Sequence, residues 1–432
     1  MTFKERVAPV RRDPLAEETP AFTPNEALLE ANRCLYCYDA PCIQACPTHI
    51  DVPQFIKKIA SKNLIGSART ILESNLLGAT CARVCPVQEL CEGACVLGHE
   101  HRPIAIGRLQ RFAIDSVTKD LFKPRPPSGK TVALIGSGPA SLSCAGELAK
   151  LGHEVTIFEK KSLPGGLSTY GIISIREPID IAVEEARMIE RLGVRFEFGI
   201  EAQIDDLVGQ YDAVFVGAGL GGSPQLGIPG EEDILDGLNY IEASKVDLNS
   251  VPVARHVAVI GAGNTAIDCA TIAKRLGAET VSIVYRRSEE DMTAYAHEVS
   301  FAKNEGIRFD FHSQPIRVLS EDNGVVGLEC CRTEPGGLDE SGRPISHPIP
   351  DSNFVMQVDQ VIKAIGQVKH LHRLDTERGF IKVDVNYQTS QRSVYAGGDC
   401  IRSHGSASTV MAVQDGKLAA MAIDRQLRGS NG

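Results

Sequence analysis

Hydrophobic and polar positions change their period near residue 125 of the chain. Before that point, apolar residues recur at helical spacing in "VPQFIKKIASKNLIGSARTILESN" and in "IAIGRLQRFAIDSV". After it, short β-branched runs are each followed by glycines and a helical stretch. The pattern predicts a helical amino-terminal domain followed by doubly wound α/β domains.

The strand–glycine–helix pattern occurs twice. The first copy is "TVALIGSGPASLSCAGELAKLGHEVTIFEK", and the second is "HVAVIGAGNTAIDCATIAKRLGAETVSIVYRR". The proline-rich linker "FKPRPPSGK" separates the helical domain from the first copy. We therefore expect two related dinucleotide-binding units.

Composition and charge narrow the class of protein. A length of 432 residues suggests two to four domains, and a net charge of −10 argues against nucleic-acid binding through a basic face. No apolar run approaches the roughly 18 residues that span a bilayer, and "MTFKERVAPVRRDP" lacks the apolar segment of a signal peptide. We expect a cytoplasmic protein, in which structural disulfides are disfavoured.

The glycine-rich turn of the first unit predicts a pyrophosphate site. Gly136 permits the tight bend, and Gly138 lets the backbone approach a pyrophosphate at the start of a helix that includes Pro139 and Ala140. Glu159 ends the second strand, where an acid can hydrogen-bond a ribose hydroxyl.

The second unit carries the same turn but a different strand end. Its turn positions are Gly261, Gly263, Asn264 and Thr265. Arg286 and Arg287 replace the acid, and two cations suit the 2′-phosphate of NADP better than the free ribose of NAD. The sequence favours NADPH and leaves NADH open; a solvated surface pair is the alternative.

A late strand predicts which unit binds the flavin. "TSQRSVYAGGDC" ends in Gly398 and Asp399 and is followed by a helix that begins near Thr409. This arrangement resembles the second flavin signature of reductases with two dinucleotide domains. By that resemblance, Asp399 binds the ribityl–phosphate region and the helix start faces the isoalloxazine ring.

Two further segments fit the same flavin domain. "YDAVFVGAGL" is a strand followed by glycines, and Gly165 and Gly166 of "PGGL" allow a close approach to FAD. The FAD domain is therefore expected to be split, with the nicotinamide domain inserted into it. We expect a helical domain over 1–125, FAD-binding parts over 126–242 and 367–432, and an NAD(P)H-binding domain over 243–366.

Eight of the 13 cysteines lie in two quartets near the start of the chain. These are Cys34, Cys37, Cys42 and Cys46, and then Cys81, Cys85, Cys91 and Cys95. The run C-x2-C-x4-C-x3-C-P is close to the bacterial ferredoxin run, whose fourth cysteine serves the other cluster. Zinc is the alternative, because C-x2-C is also a zinc-like pair. The sequence favours two [4Fe–4S] clusters.

Essentially the whole chain resembles the amino-terminal part of dihydropyrimidine dehydrogenase, and above all the bacterial subunit that supplies its electrons. "CLYCYDAPCIQACPTHIDVPQFI", "NLLGATCARVCPVQELCEGACV" and "IAIGRLQRFA" carry the match. The small subunit of bacterial glutamate synthase is a more distant relative. The resemblance implies one cluster held by Cys34, Cys37, Cys42 and Cys95, and another held by Cys46, Cys85, Cys91 and Gln110. Cys81 is then a spare, although spacing alone would place it in a site of four cysteines.

The resemblance implies an FAD-dependent oxidoreductase that passes electrons from NAD(P)H to the two clusters. The partner would be an FMN-containing barrel subunit that interconverts uracil or thymine with the 5,6-dihydro forms, because the chain ends at Gly432 without such a barrel. A glutamate-synthase-like complex is the runner-up. A thiol–disulfide reductase would need a C-x-x-C in the nicotinamide domain, which has only Cys269 and the adjacent Cys330-Cys331. A further alternative is a scaffold protein that keeps the nucleotide-binding folds without using them. The intact glycines argue against this alternative. No catalytic residue is assigned.

Overall fold

In the part of the chain that the structure describes, alternating strands and helices build two parallel sheets of five strands each. The computed structural model describes residues 15–117, 120–322, 324–339, 342–369, 374–401 and 408–429. The amino-terminal segment that we expect not to be a signal peptide lies outside these residues. Across the described ranges, no helix has both the length and the apolar character that a membrane span requires.

The chain divides into two units. The larger unit comprises Thr19–Thr169, Arg176–Gly221 and Lys369–Gly432. The smaller unit comprises Tyr170–Ile175, Gly222–Val368 and the described part of Met1–Glu18. Along the sequence, the smaller unit therefore interrupts the larger one.

The helices in chain order are α1 (Pro24–Ala31), α2 (Pro41–Gln44), α3 (Val52–Ala60), α4 (Leu64–Ser74), α5 (Gly78–Val84), α6 (Ile106–Asp115), α7 (Pro139–Lys150), α8 (Leu167–Tyr170), α9 (Ile179–Arg191), α10 (Ile204–Leu207), α11 (Gly237–Val246), α12 (Asn264–Leu276), α13 (Ala296–Asn304) and α14 (Thr409–Gly429).

The strands are β1 (Thr131–Ile135), β2 (Glu154–Glu159), β3 (Arg195–Phe198), β4 (Ala213–Val216), β5 (Leu235–Asp236), β6 (His256–Ile260), β7 (Thr280–Val284), β8 (Arg308–Asp310), β9 (Ser313–Glu321), β10 (Gly324–Leu338), β11 (Pro344–Pro348), β12 (Phe354–Met356), β13 (Gln360–Lys363), β14 (Thr376–Glu377), β15 (Phe380–Ile381) and β16 (Val394–Ala396).

Side-chain caps start the helices of the amino-terminal region. The Thr23 hydroxyl accepts from the Glu26 backbone N–H, and the Glu26 carboxylate accepts in return from the Thr23 backbone N–H, which completes a capping box before α1. Asp51 and Asn63 cap α3 and α4 by accepting from backbone N–H groups three residues later. The apolar faces of these helices meet in one core, whose members include Phe55, Ile71 and Leu109.

The sheet of the larger unit has the strand order β16-β4-β1-β2-β3, and its paired strands are parallel. Helix α7 connects β1 to β2, and α14 packs along α7. A Cβ atom on Gly416 of α14 would lie 2.0 Å from the Ala140 carbonyl oxygen. The two helix backbones therefore approach to a distance that only glycine permits.

The sheet of the smaller unit has the strand order β5-β13-β6-β7-β8 and is also parallel. Helix α12 connects β6 to β7, as α7 connects β1 to β2. A second sheet of this unit is antiparallel and is built around β10, which pairs with β9, β11 and β12. The sequence pattern had not indicated this second sheet.

The predicted fold class is confirmed. A helical amino-terminal region precedes two Rossmann-like dinucleotide folds, and the second fold is inserted into the first.

Candidate functional site

Four of the eight amino-terminal cysteines line one cavity. They are Cys34, Cys37, Cys42 and Cys95, which is the first ligand set implied by the resemblance. The rest of the lining is apolar and includes Val52 and Ile56 of α3 and Ile106 of α6. Tyr36, at a φ of 51°, turns the chain between the first two cysteines.

The thiols of this cavity oppose one another's ionisation. Burial, together with the nearby Cys34 and Cys95 thiols, raises the pKa of the Cys42 thiol to about 12. Burial also raises the pKa of Cys34, to which Cys37 and Cys95 again contribute. Thiolates crowded in an apolar cavity require a cationic centre for their stability, and an iron–sulfur cluster is such a centre. The donor set therefore fits the cluster chemistry.

Three further cysteines lie near one another. Burial raises the pKa of Cys91, and Glu92, Cys46 and Cys42 add to the rise. A hydrogen bond with the Cys81 thiol, together with burial and the neighbouring Cys91 and Cys46, raises the pKa of Cys85. The structure therefore brings together Cys46, Cys85 and Cys91 of the second ligand set, with Cys81 beside them.

Of the two candidates for the fourth ligand, Gln110 contacts α5 and Cys81 is part of it. Gln110 is buried on α6, and its Nε2 donates to the Gly78 carbonyl oxygen at 2.8 Å. Cys81 is also buried and lies one helical turn before Cys85. In the parts of the chain that the structure describes, no three His, Cys, Asp or Glu side chains form a group suited to a single metal ion.

The first glycine turn has the geometry of a phosphate cradle. Gly136 has a φ of 83°, and a Cβ atom there would lie 2.9 Å from the Gly217 carbonyl oxygen. A Cβ atom on Gly138 would meet nothing nearer than 3.9 Å, so the space before α7 is open. The Ser141 hydroxyl, in the first turn of α7, is buried without a partner among the described residues. These features fit an anion at the start of α7.

Glu159 lies directly behind this turn. Its buried carboxylate accepts from the Ser137 backbone N–H at 2.9 Å and from the Ser137 hydroxyl at 2.6 Å. Its other oxygen accepts from the Lys161 backbone N–H at 2.8 Å. The acid is thus held at the end of β2, next to the glycine turn.

Gly166 and Gly398, two of the other residues assigned to the flavin domain, lie beside the start of α7. A Cβ atom on Gly166 would lie 2.8 Å from the Gly138 Cα, and one on Gly398 would lie 3.0 Å from the Ala140 Cβ. The Gly398 backbone N–H donates to Asp415 of α14. Gly165, with a φ of 111°, precedes Gly166; Asp399 begins a short 3₁₀ turn, and Thr409 begins α14.

The second glycine turn repeats this geometry in the smaller unit. Gly261 has a φ of 130°, and a Cβ atom there would lie 2.1 Å from the Ala364 carbonyl oxygen. Gly263 is the N-cap of α12, and Thr265 lies half-exposed in its first turn. The Asn264 side chain accepts from the Tyr295 backbone N–H at 3.0 Å, so this residue fixes the neighbouring loop.

Arg286 and Arg287 have different surroundings. Arg287 is buried, and its guanidinium donates to the Pro344 carbonyl oxygen at 2.6 Å and to the Asp339 carboxylate at 2.8 Å. Arg286 is exposed. Only Arg286 therefore presents its side chain to solvent at the end of β7.

Two buried acids near α5 were not among the predicted residues. The Glu185 carboxylate accepts from the Ala79 and Thr80 backbone N–H groups at 2.6 and 3.2 Å. The Thr80 hydroxyl donates to Glu177 at 2.5 Å. Burial, together with the neighbouring Glu177, raises the pKa of Glu185 to about 8. The sequence could have indicated that Glu185 is buried, because it lies one turn after Ala182 on the buried face of α9.

Two known protein families together match most of the chain. The family described as dihydropyrimidine dehydrogenase domain II, 4Fe-4S cluster, matches residues 11–121. The family described as pyridine nucleotide-disulphide oxidoreductase matches residues 130–416, well over half of the chain. The chain belongs to the pyridine nucleotide-disulphide oxidoreductase family.

Curated relatives match this chain over nearly its whole length. The NAD-dependent dihydropyrimidine dehydrogenase subunit PreT of Escherichia coli is 34% identical over 426 residues, which cover 96% of this chain and 98% of PreT. The small chain of the NADPH glutamate synthase of E. coli is 32% identical over 446 residues, or 96% of this chain and 94% of that one.

A third relative is longer than this chain. The beta subunit of an NADP⁺-dependent formate dehydrogenase from Moorella thermoacetica is 36% identical over 428 residues. The match covers 90% of this chain but only 60% of that subunit.

This member of the pyridine nucleotide-disulphide oxidoreductase family is an NAD(P)H-dependent oxidoreductase with FAD and [4Fe–4S] clusters as its cofactors. The predictions of its cofactors and enzyme class are thus confirmed, as is the predicted resemblance to electron-input subunits.

Proposed function

We propose that this chain is the electron-input subunit of a complex that interconverts uracil or thymine with the 5,6-dihydropyrimidines. The observation that carries the proposal is a hydrophobic core shared by one cysteine site and the sheet of the larger unit. Cys85 packs against the same buried core as Val132 of β1 and Val155 of β2, within the larger unit. A cluster at Cys85 would therefore be held by the same core that supports the flavin-binding strands.

Each cofactor has residues that would hold it. FAD would be bound by Gly136, Gly138, Pro139, Ala140, Glu159, Gly165, Gly166, Gly398, Asp399 and Thr409. NAD(P)H would be bound by Gly261, Gly263, Asn264, Thr265 and Arg286, with Arg287 fixing the adjacent hairpin rather than touching the nucleotide. One cluster would be held by Cys34, Cys37, Cys42 and Cys95, and the other by Cys46, Cys85, Cys91 and Gln110.

When bound, FAD supplies the conversion between the two-electron chemistry of a nicotinamide and the one-electron chemistry of the clusters. The chain's own residues would orient the cofactors and surround the first cysteine site with apolar side chains. We also propose the domain boundaries 1–125, 126–242, 243–366 and 367–432. A reducing cytoplasm suits the unpaired thiols.

The proposed acceptor is a separate FMN-containing barrel subunit with clusters of its own. The support is the extensive match to PreT, which is named as a subunit of a dihydropyrimidine dehydrogenase. A glutamate-synthase-like complex is the second candidate, supported by a match of nearly equal extent to the glutamate synthase small chain.

The test is an anaerobic titration of the purified chain with NADPH. We expect one FAD, about eight irons from two [4Fe–4S] clusters, bleaching of the visible spectrum, and transfer of electrons to dyes. Uracil should be reduced only after the barrel subunit is added. Zinc without iron, or uracil reduction by the chain alone, would contradict the proposal. Reduction of a glutamate synthase large subunit instead of the barrel subunit would favour the second candidate.

A further inference from the structure

The cysteines assigned to the second cluster lie beside helices of the larger unit's main sheet. We refer to Cys46, Cys85 and Cys91 as the second cysteine site. Residues 75–77 connect α4 to α5, and Cys85 directly follows α5. Leu76 of this connector is buried, and its Cδ1 atom would lie 2.5 Å from a Cβ atom on Gly146 of α7. Leu76 and Val413 of α14 belong to the core against which Cys85 packs.

Lys417 of α14 reaches the same connector. Its Nζ donates to the carbonyl oxygen of Ser74, the last residue of α4, at 2.9 Å. The preceding residue, Gly416, lies against α7, which fixes the backbone at this point of α14. Lys417 is half-buried, so its charge is screened less than that of a fully solvated lysine. The structure therefore holds a lysine Nζ at the junction of α4, α5 and α14.

The surroundings of Lys417 leave its charge uncompensated by a direct carboxylate contact. Half-burial lowers the pKa of the Lys417 ammonium, whereas the nearby Glu147 and Cys46 raise it and Lys150 lowers it. Glu147 already forms an ion pair with Lys150 at 2.9 Å. The opposite charges of that pair largely cancel, and Lys417 lies within electrostatic reach of Cys46.

The first cysteine site has different electrostatic neighbours. The side chains that act most strongly on the Cys34 and Cys42 thiols are those of other cysteines. A lysine is thus a feature by which the second cysteine site differs from the first.

We propose that Lys417 raises the reduction potential of the [4Fe–4S] cluster held at the second cysteine site. The inference rests on the proposed function, because it takes Cys46, Cys85 and Cys91 as ligands. A thiolate-bound cluster becomes more negative when it gains an electron, and a fixed cation nearby stabilises the reduced form. The electron comes from NAD(P)H through the flavin, and no bond or proton is transferred at Lys417. Electron transfer from the flavin to this site is thereby made more favourable.

A purely structural role for Lys417 makes a different prediction. Its contact with the Ser74 carbonyl oxygen satisfies an acceptor at the end of α4, as cationic side chains often do at the carboxyl ends of helices. A lysine that only supported α4 would affect the melting temperature and leave the reduction potential unchanged.

The test is a potentiometric titration of the cluster-loaded chain with dithionite and mediators, followed by electron paramagnetic resonance. Lys417→Met removes the charge and keeps an unbranched side chain. We expect it to shift the reduction equilibrium of the second cluster about tenfold towards the oxidised form, or about 59 mV for a one-electron couple. The cluster at the first site should shift much less. The signal lost in Cys46→Ser identifies the second cluster.

Two further variants separate the effect of charge from that of packing. Lys417→Arg retains the cation and should keep most of the wild-type potential. Arg425→Gln is the matched control, because it removes a cation from an exposed position two turns further along α14 and should change neither potential. Lys417→Gln, which keeps a donor group, replaces Lys417→Met if that variant loses iron.

Iron content and melting temperature are measured for every variant. A lower melting temperature with unchanged potentials in the uncharged variant would overturn the proposal. Equal shifts of both clusters, a shift confined to the first cluster, or a wild-type chain without a second cluster would do the same. Wild-type clusters that are reduced by dithionite but not by NADPH would contradict the proposed function instead, and the potentials would still decide the role of Lys417.

Discussion

The Arg287 guanidinium donates to the Asp339 carboxylate at 2.8 Å and so attaches the end of β7 to the hairpin formed by β10 and β11. Its neighbour Arg286 is exposed. The two arginines that the sequence presents as a pair therefore have different surroundings, and this difference gives the first prediction.

Replacing Arg286 with alanine should weaken NADPH binding at least tenfold and leave NADH binding nearly unchanged. The reason is the loss of a charge-assisted contact to the 2′-phosphate, worth about 1.5–3 kcal/mol. Dissociation constants of both nucleotides, measured by fluorescence titration, check it. Arg287→Ala is the matched control: it should lower thermal stability and affect both nucleotides equally. A selective loss of NADPH binding in the Arg287 variant instead would show that Arg287, and not Arg286, contacts the 2′-phosphate.

Gln110→Ala should remove or alter the cluster assigned to Cys46, Cys85 and Cys91, and should leave the cluster at Cys34, Cys37, Cys42 and Cys95 largely intact. Iron content and electron paramagnetic resonance spectra measure both effects. Cys81→Ser, which changes the thiol next to Cys85, should preserve both clusters. Loss of a cluster in the Cys81 variant, together with unchanged spectra in the Gln110 variant, would mean that Cys81 is the fourth ligand.

Stability should fall as the pH rises from about 5 to 8, because of Glu185. Its pKa is about 8 in the folded protein and near 4.5 as a free side chain. The folded state therefore holds a proton in that window that the unfolded state has lost, and each pH unit removes up to about 1.4 kcal/mol. Glu185→Gln retains an acceptor for the Ala79 and Thr80 N–H groups and should flatten the dependence.

Melting temperatures of the wild type, the Glu185→Gln variant and a control variant at pH 5, 6.5 and 8 decide this prediction. The control is Glu190→Gln, an exposed position on the same helix, which should keep the wild-type slope. Parallel slopes in the wild type and the Glu185 variant would show that the acid does not titrate in this range.

Gly416→Ala should destabilise the larger unit by about 1–3 kcal/mol, a typical cost of overpacking. The added methyl group would lie 2.0 Å from the Ala140 carbonyl oxygen and would push α14 away from α7. We expect weaker FAD retention and a lower melting temperature. Gly429, the last residue of α14, has nothing within 4 Å, so Gly429→Ala should be neutral or slightly stabilising. Equal effects of the two substitutions would argue against close helix contact at Gly416.

Local sequence patterns predicted those features that depend on neighbouring residues. The turn at Gly136 and the strand before it follow from short-range geometry. The presence of Cys95 in the cavity with Cys34, Cys37 and Cys42 was implied by the family resemblance, whereas spacing alone placed Cys95 in the second quartet. The contact between Glu185 and Ala79 joins residues 106 positions apart, and no local pattern encodes it. The ion pair of Arg287 with Asp339 spans 52 positions and depends on the unpredicted antiparallel sheet. Such partners are fixed by tertiary packing.

The strand order of the larger unit has a consequence for synthesis on the ribosome. Its edge strand β16 begins at Val394, after every strand of the smaller unit has been made, and it pairs with β4, which ends at Val216. During translation, one edge of β4 therefore stays unpaired while the intervening residues emerge from the ribosome and can fold. An unpaired parallel edge invites pairing with another chain. We therefore expect the nascent protein to be most prone to aggregation between the emergence of Val216 and that of Val394, and slower translation of that stretch to increase the demand for chaperones.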